Sequence, residues 1–123
     1  MGKLSEEAKK LIGEIHPALV ATASKDGKPN VSAKGSLQVL DDDHVIFSDV
    51  NSPRTVANLK ENPQVSVICL GPDRRSCRIW GTAEVLNSGP LYDEAVTSMA
   101  ALNRKPDNVV KVKVNEVETR QPR

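Results

Sequence analysis

Apolar residues recur along this chain in two periods, and the switches between them divide it into a short series of elements. Ser5, followed by Glu6 and Glu7, marks a helix start, with Ala8, Leu11, Ile12 and Ile15 as one apolar stripe at helical spacing. His16-Pro17 ends that helix, because a residue before proline is pushed out of the helical region. Pro17 to Ala23 then predicts a buried strand, and Lys25-Asp26-Gly27-Lys28-Pro29 a hairpin turn. From Asn30 to Leu40 the period is two: Val31, Ala33, Gly35, Leu37 and Val39 alternate with Asn30, Ser32, Lys34, Ser36 and Gln38. The whole stretch therefore predicts one return strand.

Asp41-Asp42-Asp43 makes the next turn and His44 to Ser48 a third strand. A short helix is expected from Pro53 to about Glu61, closed by Asn62-Pro63, with Gln64–Leu70 and Cys77–Leu86 as the fourth and fifth strands. Ser88-Gly89-Pro90 opens a second long helix, whose Leu91, Ala95, Met99 and Leu102 share a face. Val109 to Val117, with strict Val/Lys alternation, is the sixth strand, and Glu118 to Arg123 are expected to fray. Antiparallel neighbours joined by short turns, patched by helices, predict a mainly β fold: a six-stranded antiparallel β-barrel in a single domain spanning residues 1–123.

Composition narrows the function more than the fold. Seventeen basic residues against sixteen acidic ones leave a net charge of +1, so nucleic acid and anionic membranes find no electrostatic footprint. Phe47, Trp80 and Tyr92 are the only aromatic residues, too few to stack successive bases. No apolar run approaches the roughly 20 residues of a membrane span, and a cytoplasmic protein is expected. Cys69 and Cys77 lack the spacing of a metal site and read as buried thiols. His44, after three aspartates, reads as a turn residue rather than a base.

The candidate chemistry lies in Ser48-Asp49-Val50-Asn51-Ser52-Pro53-Arg54-Thr55. Ser52 suits an N-cap and Pro53 the first helical position, so a helix begins here with free backbone N–H groups and partial positive charge. Arg54 would oppose the helix dipole by roughly 0.3–1 kcal/mol, a sign that a bound anion reverses. Its guanidinium and the Thr55 hydroxyl suit a phosphate monoester. Ser32, Lys34 and Ser36 share one strand face, either a solvated surface or a row of donors for phosphate and ring carbonyls. Trp80 either packs in a core or interface or stacks on something planar that Gly81 lets approach.

These stretches together resemble the FMN-binding split-barrel family, of which pyridoxamine 5′-phosphate oxidase is a member. The likeness rests on Asp26-Gly27-Lys28-Pro29, Asn30 to Ser36, Val45 to Asp49, Ser52-Pro53-Arg54-Thr55, and the helix that ends in Asn62-Pro63 before Gln64-Val65-Ser66-Val67. It implies a split β-barrel and a homodimer with FMN at the subunit interface. It further implies that Arg54 and Thr55 hold the phosphate, that Ser32 and Lys34 assist at phosphate and ribityl chain, and that Ala33 to Ser36, Ser48 and Asp49 line the ring, with Trp80 near the partner's flavin. The vitamin B6 oxidases differ, with arginine at the place of Ser32 and a second basic residue at that of Thr55. The expected role is an FMN-dependent oxidoreductase or electron carrier exchanging electrons with a small molecule. A deazaflavin-dependent reductase and a flavin-free binding or sensing module are the alternatives.

Overall fold

A computed structural model describes residues 2–121. The elements are α1 (Glu6–Glu14), β1 (Ala18–Ala23), β2 (Pro29–Lys34), β3 (Gln38–Asp41), β4 (His44–Asp49), α2 (Pro53–Glu61), β5 (Gln64–Leu70), β6 (Ser76–Leu86), α3 (Pro90–Ala100) and β7 (Asn108–Arg120). Helix α1 starts as expected, with the Ser5 hydroxyl accepting from Ala8 N–H at 3.1 Å, and buries Ala8, Leu11 and Ile12.

The seven strands form one antiparallel sheet in the order β2-β1-β5-β6-β7-β4-β3. Strands β2 and β3 thus lie at opposite ends of the sheet, yet only residues 35–37 join them. A chain advances no more than roughly 3.3–3.6 Å per residue. The two edges must therefore come round towards each other, which rolls the sheet into a barrel with a gap between them. This is a split barrel. The predicted single strand from Asn30 to Leu40 is accordingly two strands, broken at a turn over Gly35-Ser36, and the count is seven rather than six.

Inside the roll, Val20, Phe47, Val67, Cys69, Cys77, Ile79, Val110 and Val112 make a continuous core closed at one end by α1. Burying a side chain such as Leu11 or Ile79 contributes roughly 1.5–3 kcal/mol. The expected alternation of β7 holds, with Val110, Val112 and Val114 buried. Its end is a correction: Glu118 to Arg120 pair with Arg78, Cys77 and Ser76 and continue the strand, because the long β6 offers them a ladder. Residues 122 and 123 of the expected frayed tail lie outside the described residues.

Candidate functional site

The site begins with the direction in which β2 turns its side chains. Ser32 pairs with Val20 and Lys34 with Ala18, and both partners on β1 are buried. Residues opposite each other on antiparallel strands share a face, so Ser32 and Lys34 point inward. Val31 points out at 64% exposure. The polar row is therefore not a solvated surface. Its inward groups meet α2: the Ser32 and Thr55 hydroxyls lie 3.1 Å apart, Asn30 Nδ2 donates to Thr55 Oγ1 at 3.5 Å, and Lys34 Nζ donates to Ser52 Oγ. Thr55 is fully buried by these contacts.

Ser52 occupies the N-cap position but does not cap. Its hydroxyl donates to Asp49 Oδ1, which also accepts the Ser52 N–H at 3.0 Å. The second Asp49 oxygen accepts from Asn108 Nδ2 at 2.8 Å. Asp49, 2% exposed, is thus satisfied on both oxygens. Lys34 is buried as well, and burial pushes its pKa below the ordinary 10.5, with the charge of Asp49 acting in the opposite direction. The Lys34 ammonium lies 5.9 Å from the centre of the Phe47 ring. With no side-chain cap and Pro53 in the first turn, the N–H groups at Arg54 and Thr55 remain the natural receptor for an external anion. Arg54 is exposed beside them and takes part in no salt bridge among the described residues.

A groove of about 1030 Å³ adjoins this cradle. One wall is the β2–β3 connection, with Ala33, Lys34, Gly35 and Ser36; Ser48 lies in its floor, and Leu91, Ala95 and Met99 of α3 face it. The Ser36 hydroxyl accepts the Ser48 N–H at 2.9 Å, which pins the connection to β4. The apolar face expected on α3 thus exists, but none of its residues is buried in the core, and Leu102 falls beyond the helix. Of the residues singled out from sequence, Ser32 and Thr55 form one hydrogen-bonded group with Asn30, and Lys34 and Asp49 form a second, joined through Ser52. Ala33, Lys34, Ser36 and Ser48 line the groove, so Lys34 belongs to the groove and to the second group. The donor set fits a ligand with an anionic tail and a larger body: an uncapped helix start, two cations, and a roomy groove with backbone along one side.

Asp107 and Asn108 were not legible as site residues. They reach Asp49 and Asn51 across more than fifty positions of sequence, and no local pattern reports such a contact. Trp80 lies on the outer face of β6 with the Arg78 guanidinium 5.6 Å from its ring. Gly81 does not open a path for a planar ligand: a Cβ there would lie 2.5 Å from the Lys113 carbonyl oxygen, so the glycine accommodates β7 at a bulge. His44 is the first residue of β4, and its ring bonds back to Asp41 at 2.8 Å. The two thiols are buried, their pKa values pushed up by burial to about 11 for Cys69 and about 12 for Cys77. No cluster of three metal-ligating side chains occurs among the described residues, and no helix among them is long and apolar enough to cross a membrane.

The chain is similar to several known proteins. The family model described as pyridoxamine 5′-phosphate oxidase matches residues 4–121. An uncharacterized protein of Methanocaldococcus jannaschii is 35% identical over 120 residues, covering 94% of this chain and 79% of its own. The crystal structure of Group A Streptococcus HupZ superposes with a TM-score of 0.88 at 27% identity, over 95% of this chain and 94% of that one. An FMN-binding protein of Syntrophomonas wolfei has the same fold, with a TM-score of 0.85 at 20% identity, over 96% of this chain and 86% of that one.

Proposed function

The chain belongs to the pyridoxamine 5′-phosphate oxidase family, and from that premise we propose that it is a flavoprotein binding FMN, with the phosphate at the start of α2 and the ring in the adjoining groove. The observation that carries this reading is the uncapped first turn of α2 beside an inward-facing, buried Lys34 that also lines the groove. Arg54 supplies a charged fork to the phosphate, while Thr55, held by Ser32 and Asn30, fixes the first turn in place. Lys34 serves the phosphate and ribityl side. The backbone from Ala33 to Ser36 and the Ser48 region border the ring. The FMN-binding character of the Syntrophomonas wolfei protein supports the choice of ligand.

FMN supplies the electron or hydride chemistry, and the protein supplies position, electrostatics and exclusion of competing reactions. An oxidoreductase or electron carrier exchanging electrons with a small molecule is the activity this arrangement suits. We further propose a homodimer. Successive rows on the outer face of β2-β1-β5-β6 bring Ala33, Leu19 and Ile68 side by side, ending in Arg78, and beside them Val31, Ala21, Ser66 and Trp80. Leu19 is 42% exposed and Val31 64%, an apolar sheet face that a second copy would cover.

Titration with FMN, followed by visible flavin absorbance of the isolated complex, tests the ligand. Arg54→Ala should weaken FMN binding by about 1.5–3 kcal/mol, the scale of a hydrogen bond to a charged group, and leave riboflavin binding nearly unchanged. Equal losses for both ligands would remove the phosphate from the start of α2. Anaerobic reduction of the FMN complex by NADH or NADPH tests the redox role.

A further inference from the structure

We propose that Asp107 and Asn108, at the foot of β7, are positioning residues for the anion cradle; this role rests on the FMN reading above. Both act on the turn that carries the chain from β4 into α2. The Asp107 N–H donates to the Asp49 carbonyl at 2.8 Å, and its Oδ2 accepts the Asn51 N–H at 3.1 Å. Asn108, paired with Asp49 in the β4–β7 ladder, donates its side-chain amide to Asp49 Oδ2 at 2.8 Å. Asn51 has a φ of +55°, a left-handed conformation that asparagine adopts more readily than most residues and that a contact to its backbone holds in place. The Asp107 carboxylate on the Asn51 N–H is such a hold.

Asn108 does something more specific than brace a turn. The Asp49 carboxylate sits beside the first turn of α2, where a negative charge is attracted to the free N–H groups. With Oδ1 committed to Ser52 and Oδ2 to Asn108, that charge is held back from them. Deprived of Asn108, the carboxylate would keep a buried oxygen without its present partner, beside a helix start whose N–H groups carry no side-chain cap. Asp49 would then cap its own helix and compete with a phosphate. The brace is itself anchored: the Tyr92 hydroxyl of α3 donates to the carbonyl of buried Pro106 at 2.8 Å.

The test compares Asp107→Ala, Asp107→Asn and Asn108→Val with the unmodified chain, each titrated with FMN and with riboflavin. Asp107 is exposed, so its variants should fold; circular dichroism checks all three. Asp107→Ala and Asn108→Val should lose about five- to tenfold in FMN affinity, the scale of one hydrogen bond, and change riboflavin affinity by less than about twofold. Asp107→Asn keeps an oxygen that accepts from Asn51 and should bind FMN like the unmodified chain. Equal losses for FMN and riboflavin, or an Asp107→Asn variant as impaired as Asp107→Ala, would overturn the inference. An unmodified chain that ignores FMN would instead overturn the flavin reading on which it stands.

Discussion

Lys34 is the side chain through which the cradle and the groove meet, and its burial has a consequence that can be measured. Desolvation lowers its pKa from 10.5 in the folded chain, and Asp49 only partly opposes this. Between the depressed value and 10.5 the unfolded chain binds more protons, so the contribution of Lys34 to stability rises with pH across that window and is a cost at neutral pH. Urea unfolding of the unmodified chain against Lys34→Met should show the unmodified chain gaining relative stability as pH rises from neutral towards 10.5. A difference that stays constant with pH would show that the folded chain leaves Lys34 unperturbed. At this scale the sequence was readable where the signal was local. The period-two row containing Ser32 and Lys34, and the helix start at Pro53-Arg54-Thr55, stand at their expected places. Ser52 misled because its position predicts a cap, while a neighbouring carboxylate and ammonium offer its hydroxyl stronger partners.

The elements were legible except where topology overrides pattern. Apolar–polar alternation runs without interruption through Gly35 and Ser36, so periodicity alone continues the strand. The break is imposed by the sheet: β2 belongs to β1 and β3 to β4, at opposite edges. The end of β7 is similar, since Glu118 and Arg120 carry no strand signal and are ordered by their long partner β6. Where β6 pairs with β7, the bulge at Trp80/Gly81 brings Val112 Cγ1 to 2.6 Å and the Lys113 oxygen to 2.5 Å from any Cβ at position 81. Backbone cannot yield as a flexible side chain would. Gly81→Ala should therefore destabilise the fold by about 1–3 kcal/mol in chemical denaturation, and a neutral substitution would mean that the two strands do not approach so closely.

At the scale of the whole molecule, a rolled sheet with its edges joined by residues 35–37 sets the groove, the cradle and the outer apolar face in fixed relation. If that outer face is where a second copy packs, Val31→Glu should convert a dimer to a monomer in light scattering, because the introduced carboxylate would be desolvated in an apolar contact. A dimer unaffected by Val31→Glu would place the contact elsewhere. The family and the barrel could be inferred from sequence because helix boundaries, turns and strand periods all agree; which small molecule such a site would take depends on surfaces that no period encodes. The anion cradle is the claim on which the functional reading turns, and a crystal structure of the chain with FMN tests it most directly. The phosphate oxygens should lie about 2.7–2.9 Å from the Arg54 guanidinium and within hydrogen-bond reach of the first-turn N–H groups of α2. A phosphate seated elsewhere, with Arg54 facing only water, would contradict it.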